Sequence, residues 1–219
     1  MPARAAVRWQ EARGWLVLSG DASGSEGVRA RALTVAAGDG PVAILACGGD
    51  NEAAGHTLEE FEDLGDRPVY LVDALTEDDD SLRASLSNAG MIVVTCARDP
   101  LLAHDALSGA TSEGAFSAWE AGALVLLEGP AAMCGGAWVV TDDREFRDAL
   151  AWLPGTLVLP GTVDAAASEA ARQLLDREQQ GVTLGIGENA ALALGPSGEL
   201  EIWGRQEVSI ALGAAWQAV

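Results

Sequence analysis

The chain has 219 residues and a formal net charge of −20, from 33 acidic and 13 basic residues. Its length allows one large hydrophobic core, and its 49% hydrophobic content is typical of a globular protein. So acidic a chain repels phosphate backbones, which excludes nucleic acid as a natural partner and favours cationic ligands.

Several further classes are disfavoured by what the chain lacks. No apolar run reaches the roughly 18 residues of a bilayer-spanning helix, so we expect no membrane partner. Residues 1–8 carry no long apolar core after their charges, which argues against a signal peptide and favours a cytoplasmic protein. Cys47, Cys96 and Cys134 are far apart in sequence and form no CxxC pair, so we expect three buried thiols, no metal site and no cofactor.

The first two thirds of the chain alternate between apolar runs and helical patterns. A loop follows the first strand, and an acidic run at residues 77–80 precedes the third helix, where negative charge favours the helix N-terminus. We expect Thr57 to cap the second helix, Ser112 or Thr111 the fifth, and Asp142 or Asp143 the sixth. The predicted strands are 14–20, 41–47, 68–72, 91–95, 124–127 and 156–159, and the predicted helices are 28–37, 57–64, 81–88, 101–107, 112–121, 142–152 and 165–179.

The chain changes character after residue 181, where short strands and turns replace helices. We predict strands at 183–186, 190–194, 200–203 and 208–211, with a hairpin turn at Pro196-Ser-Gly198. The earlier strands are continuously apolar and alternate with helices, which is typical of a parallel sheet covered on both faces. The sequence therefore predicts a single α/β domain over residues 1–219: a three-layer sandwich with a mainly parallel central sheet and a C-terminal antiparallel extension.

Residues 123–136 run from a buried strand through a turn of small residues into a helix. α/β hydrolases hold their nucleophile above the sheet at such a strand–turn–helix corner. Ligands of parallel sheets bind at the carboxyl ends of the strands. The candidate loops are therefore those around Asp21, Gly48, residues 96–99 and residues 129–134.

Five segments resemble the serine peptidase family that contains cyanophycinase and α-aspartyl dipeptidase, within the class I glutamine amidotransferase-like superfamily. The most specific match is Leu184-Gly-Ile-Gly-Glu-Asn-Ala-Ala-Leu-Ala-Leu194, which resembles the "GIdE.TAlvv" segment of that family. Residues 121–134 resemble its "G..vaGtSAGA" elbow. The other matching segments are 15–21, 89–100 and 153–159. The resemblance implies the superfamily's fold and a homodimer, to which the apolar run 210–219 could contribute.

The departures from the family lie at its catalytic positions. Alignment of Gly129-Pro-Ala-Ala-Met133 with GxSAG puts Ala131 where the family has its nucleophilic serine. Residues 160–164 lack the histidine that follows the sixth strand in the family, and Cys96, Ala97 and Arg98 stand near its oxyanion-hole glycines. Only a carboxylate, Glu188, is retained.

The resemblance therefore implies a catalytically inactive homologue. Such a protein could keep a pocket for a small peptide or an amino-acid-like ligand, with Arg98 able to bind a carboxylate. The pocket candidates are Cys96, Ala97, Arg98, Gly129, Ala132 and Met133.

Two alternatives stay open. Cys134, one helical turn after Ala131, could be a relocated nucleophile if the helix N-terminus lowers its pKa. The loop Gly20-x-x-x-Gly24-x-x-Gly27 could bind a nucleotide, although Asp21 and Glu26 would repel a pyrophosphate.

Other residues have simpler interpretations. We expect arginines on the outer face of the first helix, and Glu128 to face solvent or pair with Arg98. His56 is expected in a solvated loop and His104 on a helix surface.

Overall fold

A computed structural model describes residues 6–21, 25–37, 40–47, 51–96 and 99–216. Strands and helices alternate in the first two thirds of the chain, and strands dominate the remainder. The strands are Leu16–Ser19 (β1), Val42–Ala46 (β2), Val69–Asp73 (β3), Met91–Thr95 (β4), Leu124–Glu128 (β5), Trp138–Val140 (β6), Phe146–Asp148 (β7), Thr156–Pro160 (β8), Val182–Ile186 (β9), Ala190–Leu194 (β10), Leu200–Gly204 (β11) and Val208–Leu212 (β12). The α-helices are Glu26–Val35 (α1), Asn51–Leu64 (α2), Asp79–Ser87 (α3), Pro100–Ala106 (α4), Ala110–Ala121 (α5), Pro130–Cys134 (α6) and Glu169–Arg177 (α7).

Seven of the described strands form a central sheet in the order β11-β10-β1-β5-β4-β2-β3. Five neighbouring strands of this sheet are parallel, namely β1, β5, β4, β2 and β3. Strands β10 and β11 add an antiparallel hairpin next to β1. The hairpin turns through Pro196–Gly198, with Gly198 at φ 88°. This arrangement confirms the predicted mainly parallel sheet and its antiparallel extension.

The other five described strands form a second sheet in the order β12-β9-β8-β6-β7. The sequence predicts one sheet extended at its edge, but β9 pairs with β8 and β12, and neither β9 nor β12 pairs with β10 or β11. Apolar side chains of both sheets, including Leu18 of β1 and Leu184 of β9, share one buried core. Strands β9 and β12 thus contribute to a second sheet that covers the core, whereas β10 and β11 lengthen the edge of the central sheet.

Helices cover both faces of the central sheet. On one face α1 and α2 contribute Val28, Ala32 and Phe61 to a buried cluster with β2 and β5. On the other face α3, α4 and α5 pack into the core shared with the second sheet, where Trp119 and Trp152 lie in ring contact. No helix in the described part of the chain is long and apolar enough to cross a bilayer.

The predicted helix at residues 142–152 is wrong. Residues 138–148 instead form the β6–β7 hairpin, with Arg144 at φ 62° in its turn. The next residues are held outside any helix because the amides of Leu150 and Leu153 donate to the carbonyls of Cys134 and Gly135. Tertiary hydrogen bonds therefore override the local capping pattern of Asp142 and Asp143.

Two predicted caps are also wrong. Helix α2 begins at residue 51, so Thr57 lies within it and donates its hydroxyl to the Ala53 carbonyl. The N-cap of α5 is Gly109, and Thr111 is buried in the first turn. His56 accordingly lies on the exposed surface of α2 rather than in a loop.

The predicted helix 165–179 is divided in two. A single 3₁₀ turn at Ala165–Ala167 precedes α7, and Ser168 separates them. Asp164 caps the 3₁₀ turn by accepting from the amides of Ala166 and Ala167.

Candidate functional site

The carboxyl ends of the parallel strands converge on the corner between β5 and α6. The Gly129 amide donates to the Ser19 carbonyl over 3.0 Å, which ties this corner to the end of β1. Ser19 and Thr95 are the register partners of Glu128 on the two neighbouring strands. Of the predicted loops at this edge, residues 22–24, 48–50 and 97–98 lie outside the described residues, so the predicted roles of Ala97 and Arg98 do too.

The corner itself has the sharp geometry predicted for a nucleophile elbow. Gly129 has φ 53° and ψ −128°, a combination that residues with a Cβ adopt only under strain. Helix α6 starts at the next residue, Pro130. The strained position is thus Gly129, two residues before Ala131, the position given by alignment with GxSAG.

The residues after the corner face the core. Ala131 and Ala132 are fully buried within α6. Met133 is buried as well, and its sulfur accepts a hydrogen bond from the Val140 amide over 3.1 Å. Three residues predicted around the site are therefore packing residues between α6 and the second sheet.

Cys134 is also buried and has a hydrogen-bond acceptor. Its Sγ donates to the Pro100 carbonyl, 3.7 Å away. Burial raises the pKa of the Cys134 thiol to about 12. A thiolate nucleophile needs a lowered pKa, so the observed environment is the opposite of what the relocated-nucleophile alternative requires.

Glu188 lies exposed in the turn between β9 and β10, beside Asn189 at φ 57°. This turn reaches the same edge as the corner, because the Gly20 amide donates to the Ala190 carbonyl. The chain approaches so closely here that a Cβ on Gly20 would lie 2.2 Å from the Gly187 oxygen. The structure therefore brings the turn that carries Glu188 to the same edge of the central sheet as the corner.

The end of β8 reaches this edge too. A Cβ on Gly161, which has φ 70°, would lie 4.0 Å from the Gly20 oxygen. In the family this segment carries the histidine, and here it is Gly161-Thr-Val-Asp164. The histidines of this chain lie elsewhere, on α2 and α4, where His56 and His104 each approach an acidic residue of their own helix.

The Gly20–Gly27 loop has a packing role at one end. Gly20 allows the close approach to Gly187, whereas a Cβ on Gly27, which lies in α1, would meet no atom within 4 Å. Glu26 occupies the first turn of α1, where a bound phosphate would have to accept hydrogen bonds. These observations do not favour the nucleotide-binding alternative.

A buried ion pair under the corner is absent from the sequence-based predictions. Glu128 is fully buried and Arg29 of α1 is 1% exposed. Arg29 Nε donates to Glu128 Oε1 over 2.9 Å, and Nη2 donates to Oε2 over 2.6 Å. The expectation that Glu128 faces solvent is therefore wrong, and so is the expectation of an outer-face position for Arg29. The alternative pairing of Glu128 with Arg98 lies outside the described residues.

Two residues of α2 complete the network. Glu60 accepts from Arg29 Nη1, and Thr57 Oγ1 accepts from Nη2 over 3.4 Å. Burial raises the pKa of Glu128, and the Arg29 guanidinium opposes that rise. For Arg29, burial acts to lower the pKa, but the contacts with Glu128 and Glu60 outweigh it. The signal in the sequence that could have indicated this ion pair is Glu128, an acidic residue at the end of an otherwise apolar strand.

Two surface clefts lie away from this edge. One is lined by residues 7–9 and 11–13, Glu120 and the 196–198 turn, and the other by residues before β4 and β5. Neither includes a residue of the corner. Among the described residues, no group of three or more His, Cys, Asp or Glu side chains is arranged to hold a metal ion.

Comparison with known proteins gives structural likeness without sequence likeness. No family model and no curated protein matches the chain. A peptidase from an acI-B1 Actinobacterium superposes with a TM-score of 0.71 at 16% identity, covering 93% of this chain and 92% of that one. A putative peptidase E protein from Listeria monocytogenes EGD-e superposes with a TM-score of 0.62 at 16% identity, covering 92% and 99%.

This is a peptidase E-like fold. The similarity extends over nearly the whole of each chain, and it confirms the fold that the resemblance implied. At 16% identity the peptidase E-like fold carries no statement about activity, because one fold supports many functions.

Proposed function

We propose that this protein is a catalytically inactive relative of peptidase E-like hydrolases. The observation that carries the proposal is the corner between β5 and α6. The strained position there is glycine, Gly129, and Ala131 follows two residues later. Neither residue has a hydroxyl or thiol. Acyl transfer is therefore impossible both at the strained position and at the position aligned with the family's serine.

The surroundings of the corner support the same proposal. Residues 160–164, at the family's histidine position, contain no histidine. The thiol nearest in sequence, Cys134, is buried and has a raised pKa. A general base and an activated nucleophile are thus both missing from the segments that supply them in an acyl-transfer enzyme.

In this proposal a ligand binds at the edge of the central sheet where the parallel strands have their carboxyl ends. Its described carboxylates include Asp21 at the end of β1, and Glu188 in the β9–β10 turn. Together with the net charge of −20, they favour a small peptide or amino-acid-like ligand that carries positive charge. Aspartyl dipeptides and β-aspartyl-arginine are the compounds to try, since the resemblance points to their chemistry.

The proposal is tested by assaying the purified protein for release of amino acids from β-aspartyl-arginine and aspartyl dipeptides. We expect no hydrolysis above buffer, while an active peptidase of the same fold releases product in the same assay. Isothermal titration calorimetry with the same compounds measures binding without turnover. Hydrolysis that a single substitution such as Cys134→Ala or Ser19→Ala abolishes would overturn the proposed inactivity.

We also propose that two copies associate through β11 and β12, which are edge strands of the central and the second sheet. The supporting feature is apolar exposure, with Leu200 49% exposed and Ile210 51% exposed. Ile210→Asp should convert a dimer to a monomer in light scattering. Leu75→Asp, at a leucine after β3 that is 68% exposed, is the control and should leave the mass unchanged. A wild-type protein that is monomeric at micromolar concentration would end this proposal.

A further inference from the structure

Two cysteines that are 49 positions apart in sequence end neighbouring strands side by side. Strands β2 and β4 are parallel, with Ala46 opposite Thr95 as their last register pair. Cys47 and Cys96 are the next residue on each strand. In adjacent strands such partners lie about 4.8 Å apart, within the roughly 4.4–6.8 Å between the Cα atoms of a disulfide.

Both side chains point to the same face of the sheet. Leu45 and Cys47 on one chain segment, and Val94 and Cys96 on the other, all belong to the core that the two sheets share. The two thiols lie within hydrogen-bonding reach of each other, and this contact raises the pKa of Cys47. Cys96 Sγ also donates to the Asp99 carbonyl over 3.2 Å. The facing pair thus has the separation and the direction that an S–S bond requires.

We propose that Cys47 and Cys96 form a disulfide under oxidising conditions, which cross-links the exits of β2 and β4 beside the corner. The oxidant is a low-molecular-weight disulfide such as oxidised glutathione. One protein thiolate attacks it and releases one glutathione thiol, and the second protein thiol then displaces the other glutathione. Two S–H bonds are lost, one S–S bond forms between Cys47 and Cys96, and the oxidant is reduced to two thiols.

Burial determines how fast this happens. Cys47 is 3% exposed and Cys96 is 4% exposed, so the oxidant reaches either sulfur only when a strand exit opens. We therefore expect oxidation over hours rather than seconds, and equally slow reduction by dithiothreitol.

The experiment uses the whole protein incubated with oxidised glutathione, quenched with iodoacetamide and analysed by intact and peptide mass spectrometry. Arg83 and Arg98 separate the three cysteines, so trypsin releases each in a different peptide. We expect a mass loss of about 2 Da before alkylation, the two hydrogens given up in forming one disulfide, and a cross-linked peptide pair containing Cys47 and Cys96.

Cys134→Ala is the matched control, because Cys134 is equally buried but bonds to Pro100. It should oxidise as the wild type does, whereas Cys47→Ala and Cys96→Ala should each lose the cross-link. Three results would overturn the proposal: no oxidation after a day, glutathione adducts without a cross-link, or a cross-link that involves Cys134. Peptide mapping of the wild type decides among these results even if a variant fails to fold.

Discussion

Glu128 ends the strand that enters the corner as a fully buried carboxylate, and Arg29 neutralises it with two hydrogen bonds. A buried pair of this kind offers little net stability, because both ions lose their hydration. Removing one partner lowers the stability far more, since it leaves the other charge unpaired in the core. The pair therefore fixes the position of α1 relative to the end of β5.

Glu128→Ala should lower the free energy of unfolding by about 3–5 kcal/mol, because Arg29 loses its buried carboxylate and keeps only the partly exposed Glu60 as a charged partner among the described residues. Urea denaturation followed by circular dichroism measures the loss. The double variant Arg29→Met with Glu128→Met should recover most of it, since apolar side chains of similar volume fill the same space. Glu62→Ala, on the exposed surface of α2, is the control and should change stability by less than about 0.5 kcal/mol. Equal losses of stability for Glu62→Ala and Glu128→Ala would contradict this role of the Arg29–Glu128 pair.

The glycines of the first loop differ in what surrounds them. Gly20→Ala should destabilise the protein by more than about 2 kcal/mol, because a Cβ would collide with backbone oxygens of Ile186 and Gly187 that cannot rotate away. Gly27→Ala has open space in α1 and should stabilise by about 0.5 kcal/mol. Thermal unfolding of both variants checks the contrast. Equal effects would mean that the approach of β1 to the β9–β10 turn is not required.

At the scale of elements, Asp78 is the N-cap residue of α3. Its carboxylate accepts hydrogen bonds from the Ser81 amide, the Ser81 hydroxyl and the Asp80 amide. The bonds from Ser81 lead in lowering the pKa of Asp78 below its usual 3.8. The acidic run at 77–80 is therefore a capped helix start, as its position in the sequence indicates.

A lowered pKa in the folded state makes this stabilisation depend on pH. It is fully present above the usual pKa of 3.8 and is lost as pH falls through the lower pKa of the folded state. Asp78→Ala should destabilise the protein at neutral pH. Asp78→Asn, which keeps an acceptor but no charge, should fall between the wild type and Asp78→Ala. Urea midpoints at several pH values should show the wild type and Asp78→Asn converging on acidification, and a constant difference would contradict the assignment.

At the scale of the whole molecule, the chain carries 33 acidic residues against 13 arginines. Several of the arginines are already engaged, such as Arg83 with Glu113 and Arg144 with Glu169. Surface carboxylates are therefore left to repel one another in the folded state.

Raising NaCl from about 10 mM to about 1 M shortens the Debye length from about 30 Å to about 3 Å and should screen this repulsion. We expect the urea midpoint to rise over that range. A globular protein of similar size and near-zero net charge gives the part of the salt effect that is independent of charge. A midpoint that falls with salt would mean that ion pairs, rather than repulsion, dominate the surface electrostatics.

Local patterns in the sequence determine most of the α/β architecture. Continuous apolar runs such as residues 91–95 and 124–127 predict buried parallel strands, because such strands are covered on both faces. The strand–turn–helix corner follows from the same logic, since an apolar strand ending in small residues and proline has few other conformations. The absence of a side-chain nucleophile there is visible in the residues themselves.

Only the tertiary structure decides the features that depend on distant partners. Residues 142–152 have a helical pattern, yet residues 146–148 pair with β6, and the amides of Leu150 and Ala151 donate to the carbonyls of Cys134 and Gly136, so no helix forms. Gly129 rather than Ala131 becomes the strained position because β5 continues through Glu128, which Arg29 allows to be buried. Cys47 and Cys96 become neighbours because β2 pairs with β4 in one register. In each case the deciding contact joins residues far apart in sequence, and periodicity and local propensity carry no information about such pairs.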